Sequence, residues 1–329
     1  MTATTSQARV LLDRLAPWGT IAALAAIVLV FAIAKPSEFL AWGNMQQILS
    51  QGAGLGIVAV GLTLVLIVGE FDLSVAAVAT ASGFVAALLV QDGMAVPLAI
   101  VLAMAFGATL GAVNGFVTVF LNVSSFIATL AMLTVATGLA TWWSKGESIA
   151  ITNPGFLDLA RDKVVGIPLT ALIAIVIYVI VWIVTERTRV GRMLYATGAN
   201  PGAARLAGIR VGLVRMSAFS VCSLLAAIAG VLLAARLSAA YHGAATPYLL
   251  DAFAAAFLGA VTLRIGQFHV IGTAIGVLLL TVLTNGLDVL AAPSYIAQLI
   301  SGCFLIAAVA VAGIRARRGG VSAIAGTTG

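Results

Sequence analysis

The chain has 329 residues, of which 62% are hydrophobic and 9% charged, with a formal net charge of +6. Soluble domains carry roughly 25% charged residues, so a fold of this length with so little charge has no means of covering a water-facing surface, and the water-soluble classes are excluded. The basic residues lie mainly between apolar runs, where they read as membrane orientation and not as a nucleic-acid patch.

In chain order the apolar runs fall near 17–34, 52–68, 73–90, 95–120, 126–143, 165–184, 216–235, 249–261, 270–290 and 297–313. About 20 mostly apolar residues cross a hydrocarbon core as a helix. The runs are too long and too uniformly apolar for barrel strands. The expected fold is therefore all-α, a polytopic membrane protein of about ten transmembrane helices. The first run ends in Lys35, Pro36 and Ser37 with no small-residue cleavage pattern, so it is read as a membrane helix and not a removable signal. The eighth run is too short to cross alone and suggests a broken helix. Cys222 and Cys303 both fall inside apolar runs and read as small buried hydrophobes.

Ten spans place both termini on one side. With that side cytoplasmic, twelve Arg residues (9, 14, 187, 189, 192, 205, 210, 215, 264, 315, 317 and 318) lie inside, and five basic residues (Lys35, Lys145, Arg161, Lys163 and Arg236) outside. The positive-inside rule selects that orientation. The expected layout is a cytoplasmic segment 1–16, a membrane domain 17–313 and a cytoplasmic tail 314–329.

The two halves echo each other. "GATLG" at Gly107–Gly111 precedes "SFIA" at Ser125–Ala128, and "GTAIG" at Gly272–Gly276 precedes "SYIA" at Ser294–Ala297. "DLSVAA" from Asp72 is answered by "DAFAAA" from Asp251. An offset of five spans reverses membrane direction, which makes this an inverted repeat, a transporter trait that places a solute site between the halves. The competing reading is chance similarity in an Ala/Gly/Leu-rich chain. Gly107, Gly111 and Gly115 recur every four residues, a spacing that lets helix backbones approach closely in lipid.

The most informative polar stretch is 186–215, "ERTRVGRMLYATGANPGAARLAGIRVGLVR". Asn200 suits an N-cap, Pro201 the first helical position and Gly208 a C-terminal stop, so a helix of about two turns is predicted over Pro201–Ala207. So short a helix is marginal alone, and it requires a surface to lie against: anionic lipid for the arginines, or a partner protein's groove.

The segment resembles the coupling region of bacterial ATP-binding-cassette importer permeases of the ribose/xylose/galactose class, whose pattern "GR.LYA.G.N..AA.L.GI" is matched by Gly191, Arg192, Leu194, Tyr195, Ala196, Gly198, Asn200, Ala203, Ala204, Leu206, Gly208 and Ile209. "GEFDLSVAA" from Gly69, "GAVNGFVTVFLNVSSFIATLAML" from Gly111, "YLLDAFAAAFLGAVTL" from Tyr248 and "TNGLDVL" from Thr284 are similar to further family motifs, so the likeness covers residues 40 to 313. Two departures stand out. Glu70 replaces the second glycine of the usual pair, and Arg264 to His269 replaces a glycine-rich turn.

The resemblance implies a permease subunit that moves a monosaccharide or similar polar solute inward by alternating access. It implies a multi-pass protein of the bacterial inner membrane, with partners in a cytoplasmic ATPase, an extracytoplasmic solute-binding protein and a second permease copy or paralogue. ATP and Mg would sit on the ATPase, and this chain would need no cofactor and be no enzyme. Gly191, Arg192, Tyr195, Gly198, Asn200, Ala203, Ala204, Leu206 and Gly208 would couple to the ATPase.

The residues themselves agree that energy comes from elsewhere. No Gly-x4-Gly-Lys-Ser/Thr loop is present to cradle nucleotide phosphates. No metal-spaced cluster or Ser-His-Asp arrangement stands out, and His242 and His269 are each alone in loops. Glu70, Asp72, Asp251 and Asp288 fall near predicted helix ends, where Asp72 and Asp251 suit helix N-termini. For the pathway, Asn114, Thr129, Thr134, Asn285 and Gln298 offer donors and acceptors to solute hydroxyls, with the rings of Phe126 and Tyr295 near the matching kinks. Helix–helix hydrogen bonding is the competing role for each. The rival functions are a branched-chain amino acid or nucleoside permease of the same architecture and, from another class, an ion-coupled secondary transporter.

Overall fold

The computed structural model describes residues 18–318 except 265. The order is α1 (Gly19–Ala34), α2 (Pro36–Phe39), α3 (Trp42–Ile67), α4 (Val75–Gln91), α5 (Val96–Phe120), α6 (Ser125–Ser144), β1 (Ile149–Ala150), α7 (Pro154–Arg161), β2 (Lys163–Val164) and β3 (Ile167–Pro168). Then come α8 (Leu169–Arg187), α9 (Arg189–Ala199), α10 (Pro201–Leu206), α11 (Val211–Leu237), β4 (Ala239–Ala240), α12 (Thr246–Ala260), α13 (Val270–Val289) and α14 (Ser294–Arg318). Among the described residues, α3, α5, α6, α8, α11 and α13 are long and apolar enough to cross a membrane, six helices in all. This is an all-α polytopic membrane protein. Shorter apolar helices lie at α1, α4 and α12 and over Tyr295–Ala307 within α14.

The chain divides into two compact units, one of the residues up to Ile48 and from Phe253 on, the other Leu49–Ala252. In the Leu49–Ala252 unit, α4, α5 and α11 pack through glycines. The glycine row of α5 lies along α11: Gly107 against Ala227 and Ser223, Gly111 against Phe219 and Ser223, and Gly115 against Met216. Gly230 of α11 lies on the Ala79 carbonyl of α4. In a bilayer, where lipid tails are as apolar as leucine, such close contact supplies the dispersion energy that holds helices together. One end of the bundle is fastened by antiparallel pairing of β1 with β4, Ile149 opposite Ala240 and Ala150 opposite Ala239.

In the other unit, α12 and α13 meet backbone to backbone, Gly259 against Gly272 and Gly276 against Ala255. The Phe31 ring of α1 fills the space left by Gly286 of α13. Thr262 donates to Thr20 at 2.6 Å. His269 caps α13, its Nδ1 accepting from Gly272 N–H at 3.0 Å. Both cysteines are free, Cys222 buried and Cys303 exposed.

Several boundaries differ from the hydropathy reading. α3 begins at Trp42, ten residues before the apolar run at 52, because Asn44, Gln46, Gln47, Ser50 and Gln51 read as loop by polarity yet continue the helix. Asp251 is not at a helix N-terminus; α12 starts at Thr246 and carries it internally. Asp72 does stand just ahead of α4, its Oδ1 accepting from the Ser74 N–H at 2.8 Å and hydroxyl at 2.6 Å.

Candidate functional site

Two features of the Leu49–Ala252 unit stand out, and they adjoin: the segment 188–210 and the break 68–74 between α3 and α4. Thr188 opens α9 by accepting from Val190 N–H. The helix turns Gly191, Leu194 and Thr197 inward and leaves Arg192 exposed. Gly191 packs on the Thr185 carbonyl of α8, so the chain folds back there with no room for a side chain. The Tyr195 hydroxyl reaches Glu186 at 3.5 Å. At the far end, Gly198 lies on the carbonyl of Ile67, the last residue of α3.

α10 follows directly. Asn200 is its N-cap, the side-chain oxygen accepting from Ala203 N–H at 2.9 Å. Pro201 fills the first position, where no intrahelical N–H bond is needed. The helix ends at Leu206, one residue short of the expected end, and Gly208 follows with φ +82°, a left-handed stop open to glycine. Of its side chains Ala204 is 4% exposed and Leu206 93%. Ala203, Arg205 and Gly208 are exposed as well. A large aliphatic side chain is thus held almost wholly clear of the fold on a helix anchored beneath.

In the break, Glu70 forms an ion pair with Arg215 of α11, 3.0 Å between carboxylate and guanidinium. The acid that departs from the glycine pattern thus has a partner, which sequence alone did not reveal. Asn114 donates to Ser74 Oγ at 2.9 Å, and Ser74 in turn donates to Asp72. The backbone N–H groups of Phe71 and Leu73 donate to Ser125 and Thr129 of α6. Side chains from α5, α6 and α11 therefore hold one irregular stretch of seven residues. Asp72 Oδ2 is buried without a hydrogen-bond partner.

The expected pathway residues are distributed as follows. Asn114 and Thr129 are buried and bind the break. Thr134 and Phe126 lie on the exposed face of α6. In the other unit Asn285 is buried and exchanges amide hydrogen bonds with Asn44 at 3.0 Å in both directions, whereas Tyr295 and Gln298 are exposed. His242 approaches Ser144 Oγ at 2.7 Å. Among the described residues no cluster of three His, Cys, Asp or Glu side chains is placed to hold a metal.

The fold defines a polytopic α-helical membrane protein in which a short capped helix pair adjoins a hydrogen-bonded break. The comparisons with known proteins specify which kind. The family described as "Branched-chain amino acid transport system / permease component" matches residues 44–309, and the chain belongs to that family. It is 39% identical over 285 residues to the ribose import permease protein RbsC of Bacillus subtilis, covering 86% of this chain and 88% of that protein. It is 38% identical to the probable ABC transporter permease protein YphD of Escherichia coli, covering 88% and 87%. With the D-allose transport system permease protein AlsC of Escherichia coli it shares 31% identity, over 89% and 90%. No solved structure matches the chain at a significant level.

Proposed function

We propose that this chain is the membrane subunit of an ATP-driven importer of a monosaccharide. The relatives named for ribose and allose match it over most of their length, which favours a sugar over the amino acid in the family's description. Ten spans would use the six long helices and the four shorter apolar ones, the shorter ones crossing together with neighbours. Both termini would be cytoplasmic, the side that the arginine distribution favours, in a bacterial inner membrane. A second copy or paralogue would complete the path, and a solute-binding protein would deliver sugar from outside.

The single observation that carries the reading is the anchored knob of α10. Asn200, Pro201 and Gly208 define the helix, buried Ala204 fixes it, and Leu206 projects. A groove on a cytoplasmic ATPase is its natural occupant, with Arg192, Tyr195 and Ala203 flanking, and Gly191 and Gly198 seating α9 on the spans. Alternating access then follows from ATPase closure moving α9 and α10 as a lever.

Leu206→Asp places a charge where burial is needed. Co-purification of the ATPase with the permease is expected to fall about tenfold or more, with membrane insertion unchanged, and Leu206→Met should retain it. Wild-type recovery of the ATPase by Leu206→Asp would sink the docking assignment. Gradient-driven uptake into liposomes holding this chain alone would instead support an ion-coupled carrier.

A further inference from the structure

The end of α8 carries charge that the rest of the chain does not answer. Along the span α8 exposes Ile175, Val176, Val179, Ile180 and Ile183, whereas its small residues Thr170, Ala171, Ala174 and Thr185 are all buried. Helices that meet other helices in a bilayer approach through small residues. An outer face of branched aliphatics alone is a face for acyl chains. Arg187 closes that face: it follows Val176, Ile180 and Ile183 at intervals of four, three and four, on the same stripe. Its guanidinium lies over the Trp182 ring, 5.5 Å from the centroid, a pairing that holds the cation beside an aromatic ring of the kind that marks the hydrocarbon edge. Two residues on, α9 opens with Arg189, exposed like Arg187. Because Gly191 near its start sits on Thr185 of α8 and Gly198 near its end on Ile67 of α3, α9 runs across the ends of two spans, and its first turn stays level with the end of α8.

The counter-charge has to come from outside the chain. Of the eleven acids, those on the cytoplasmic side of the proposed topology are Asp13, Glu70, Asp72 and Glu186. Asp13 adjoins Arg14 in sequence, Glu70 is held by Arg215, Asp72 is buried on Ser74, and Glu186 accepts from the Tyr195 hydroxyl. Among the described residues no carboxylate forms an ion pair with Arg187 or Arg189. A second copy brings the same shortage of acid, so it does not neutralise them. An anionic phospholipid supplies both halves at once, a chain for the aliphatic stripe and a phosphate whose oxygens match the guanidinium fork.

We propose that the end of α8 and the first turn of α9 bind an anionic phospholipid, with Arg187 and Arg189 donating to its phosphate and an acyl chain lying along Val176, Ile180 and Ile183. It rests on the orientation proposed above. It also divides the exposed arginines by partner: Arg187 and Arg189 face the leaflet, and Arg205 and Arg210, on either side of Leu206 in sequence, belong to the side assigned to the ATPase. The bound lipid fastens the root of the α9–α10 pair to the bilayer.

For the test, the full chain is reconstituted in vesicles of equal parts phosphatidylethanolamine and phosphatidylglycerol, extracted in mild neutral detergent, and the lipid that stays with it is quantified by mass spectrometry. Arg187→Gln/Arg189→Gln is expected to retain about tenfold less phosphatidylglycerol than wild type, since each basic residue at an anionic surface contributes about fivefold. Arg205→Gln/Arg210→Gln, which removes the same charge, should retain it as wild type does, and Arg187→Lys/Arg189→Lys should keep most of it. Wild-type retention by Arg187→Gln/Arg189→Gln overturns the site. Equal loss in the two glutamine pairs overturns it too, as an effect of net charge alone. Glycerol phosphate in excess should leave the lipid in place; release by it would mean that the arginines take phosphate from water, and overturns the lipid assignment. The orientation is read separately. Arg189→Cys in a Cys303→Ser background, with Cys222 buried, should react with an impermeant thiol reagent from the cytoplasmic side alone. Reaction from the outside alone overturns the orientation, and lipid retention still decides the site.

Discussion

Gly230→Val is expected to disrupt the Leu49–Ala252 unit more than any exposed glycine substitution can. Any side chain there enters the Ala79 carbonyl, and that obstacle is backbone. The opposite side of the contact is equally tight, because a Cβ at Gly83 of α4 would stand 2.9 Å from the Gly230 carbonyl oxygen. Neither helix has a flexible side-chain end that yields, so α4 and α11 must part. Overpacking of this kind costs about 3 kcal/mol, a large share of the roughly 5–15 kcal/mol that holds a typical fold. The melting temperature of the detergent-solubilised protein, followed by size-exclusion chromatography after heating, should fall by about 5–10 °C. Gly43→Val is the control: it is exposed in the first turn of α3 with nothing near its Cβ, and the melting point should stay within about 1–2 °C. Equal behaviour of the two variants would mean that α4 and α11 do not touch as described.

That contact shows where sequence reading stops. Glycines four apart on α5 announce close packing, since the spacing is a local property of one helix. Which helix they meet is not local: Met216, Phe219, Ser223 and Ala227 of α11 lie over a hundred residues on. The same division governs the polar segment. α10 is legible because capping by Asn200, Pro201 and Gly208 is written within nine residues. α9 escaped notice because its cap is Thr188, inside a run that reads as arginine-rich loop, and its seat depends on Gly191 and Gly198 meeting carbonyls of other helices. α3 was cut short because hydropathy registers Asn44 as loop, whereas the Asn285 amide satisfies it across 241 residues. The pathway residues show the sharpest limit. Asn114 and Thr129 were legible as polar residues, but their partners, Ser74 and the Leu73 N–H of the break, lie 40 and 56 residues away.

Removal of the Glu70 carboxylate is expected to be the other large perturbation. Glu70 and Arg215 are 11% and 25% exposed and 3.0 Å apart, and Arg215 Nε is buried without another partner. Glu70→Gln leaves the guanidinium uncompensated at the start of α11. Breaking one side of a buried pair costs about 3–5 kcal/mol; the residual exposure here brings the expectation to about 2–3 kcal/mol. Arg215→Met strands the carboxylate and should cost about as much. A Glu70→Leu/Arg215→Met double variant removes both charges and leaves apolar side chains in their place, and its melting temperature should recover to within about 2 °C of wild type, since apolar replacement of an ion pair is often neutral. Transport is expected to behave otherwise. Glu70 lies three residues beyond Ile67, whose carbonyl bears Gly198 of α9, so the pair ties the seat of α9 to α11. A double variant that is stable yet imports sugar about tenfold more slowly, with ATP hydrolysis by the partner continuing, places the pair in the transmission of movement. Wild-type import by the stable double variant would reduce it to a structural clasp, and the lever would then have to act through the packing at Gly198 alone.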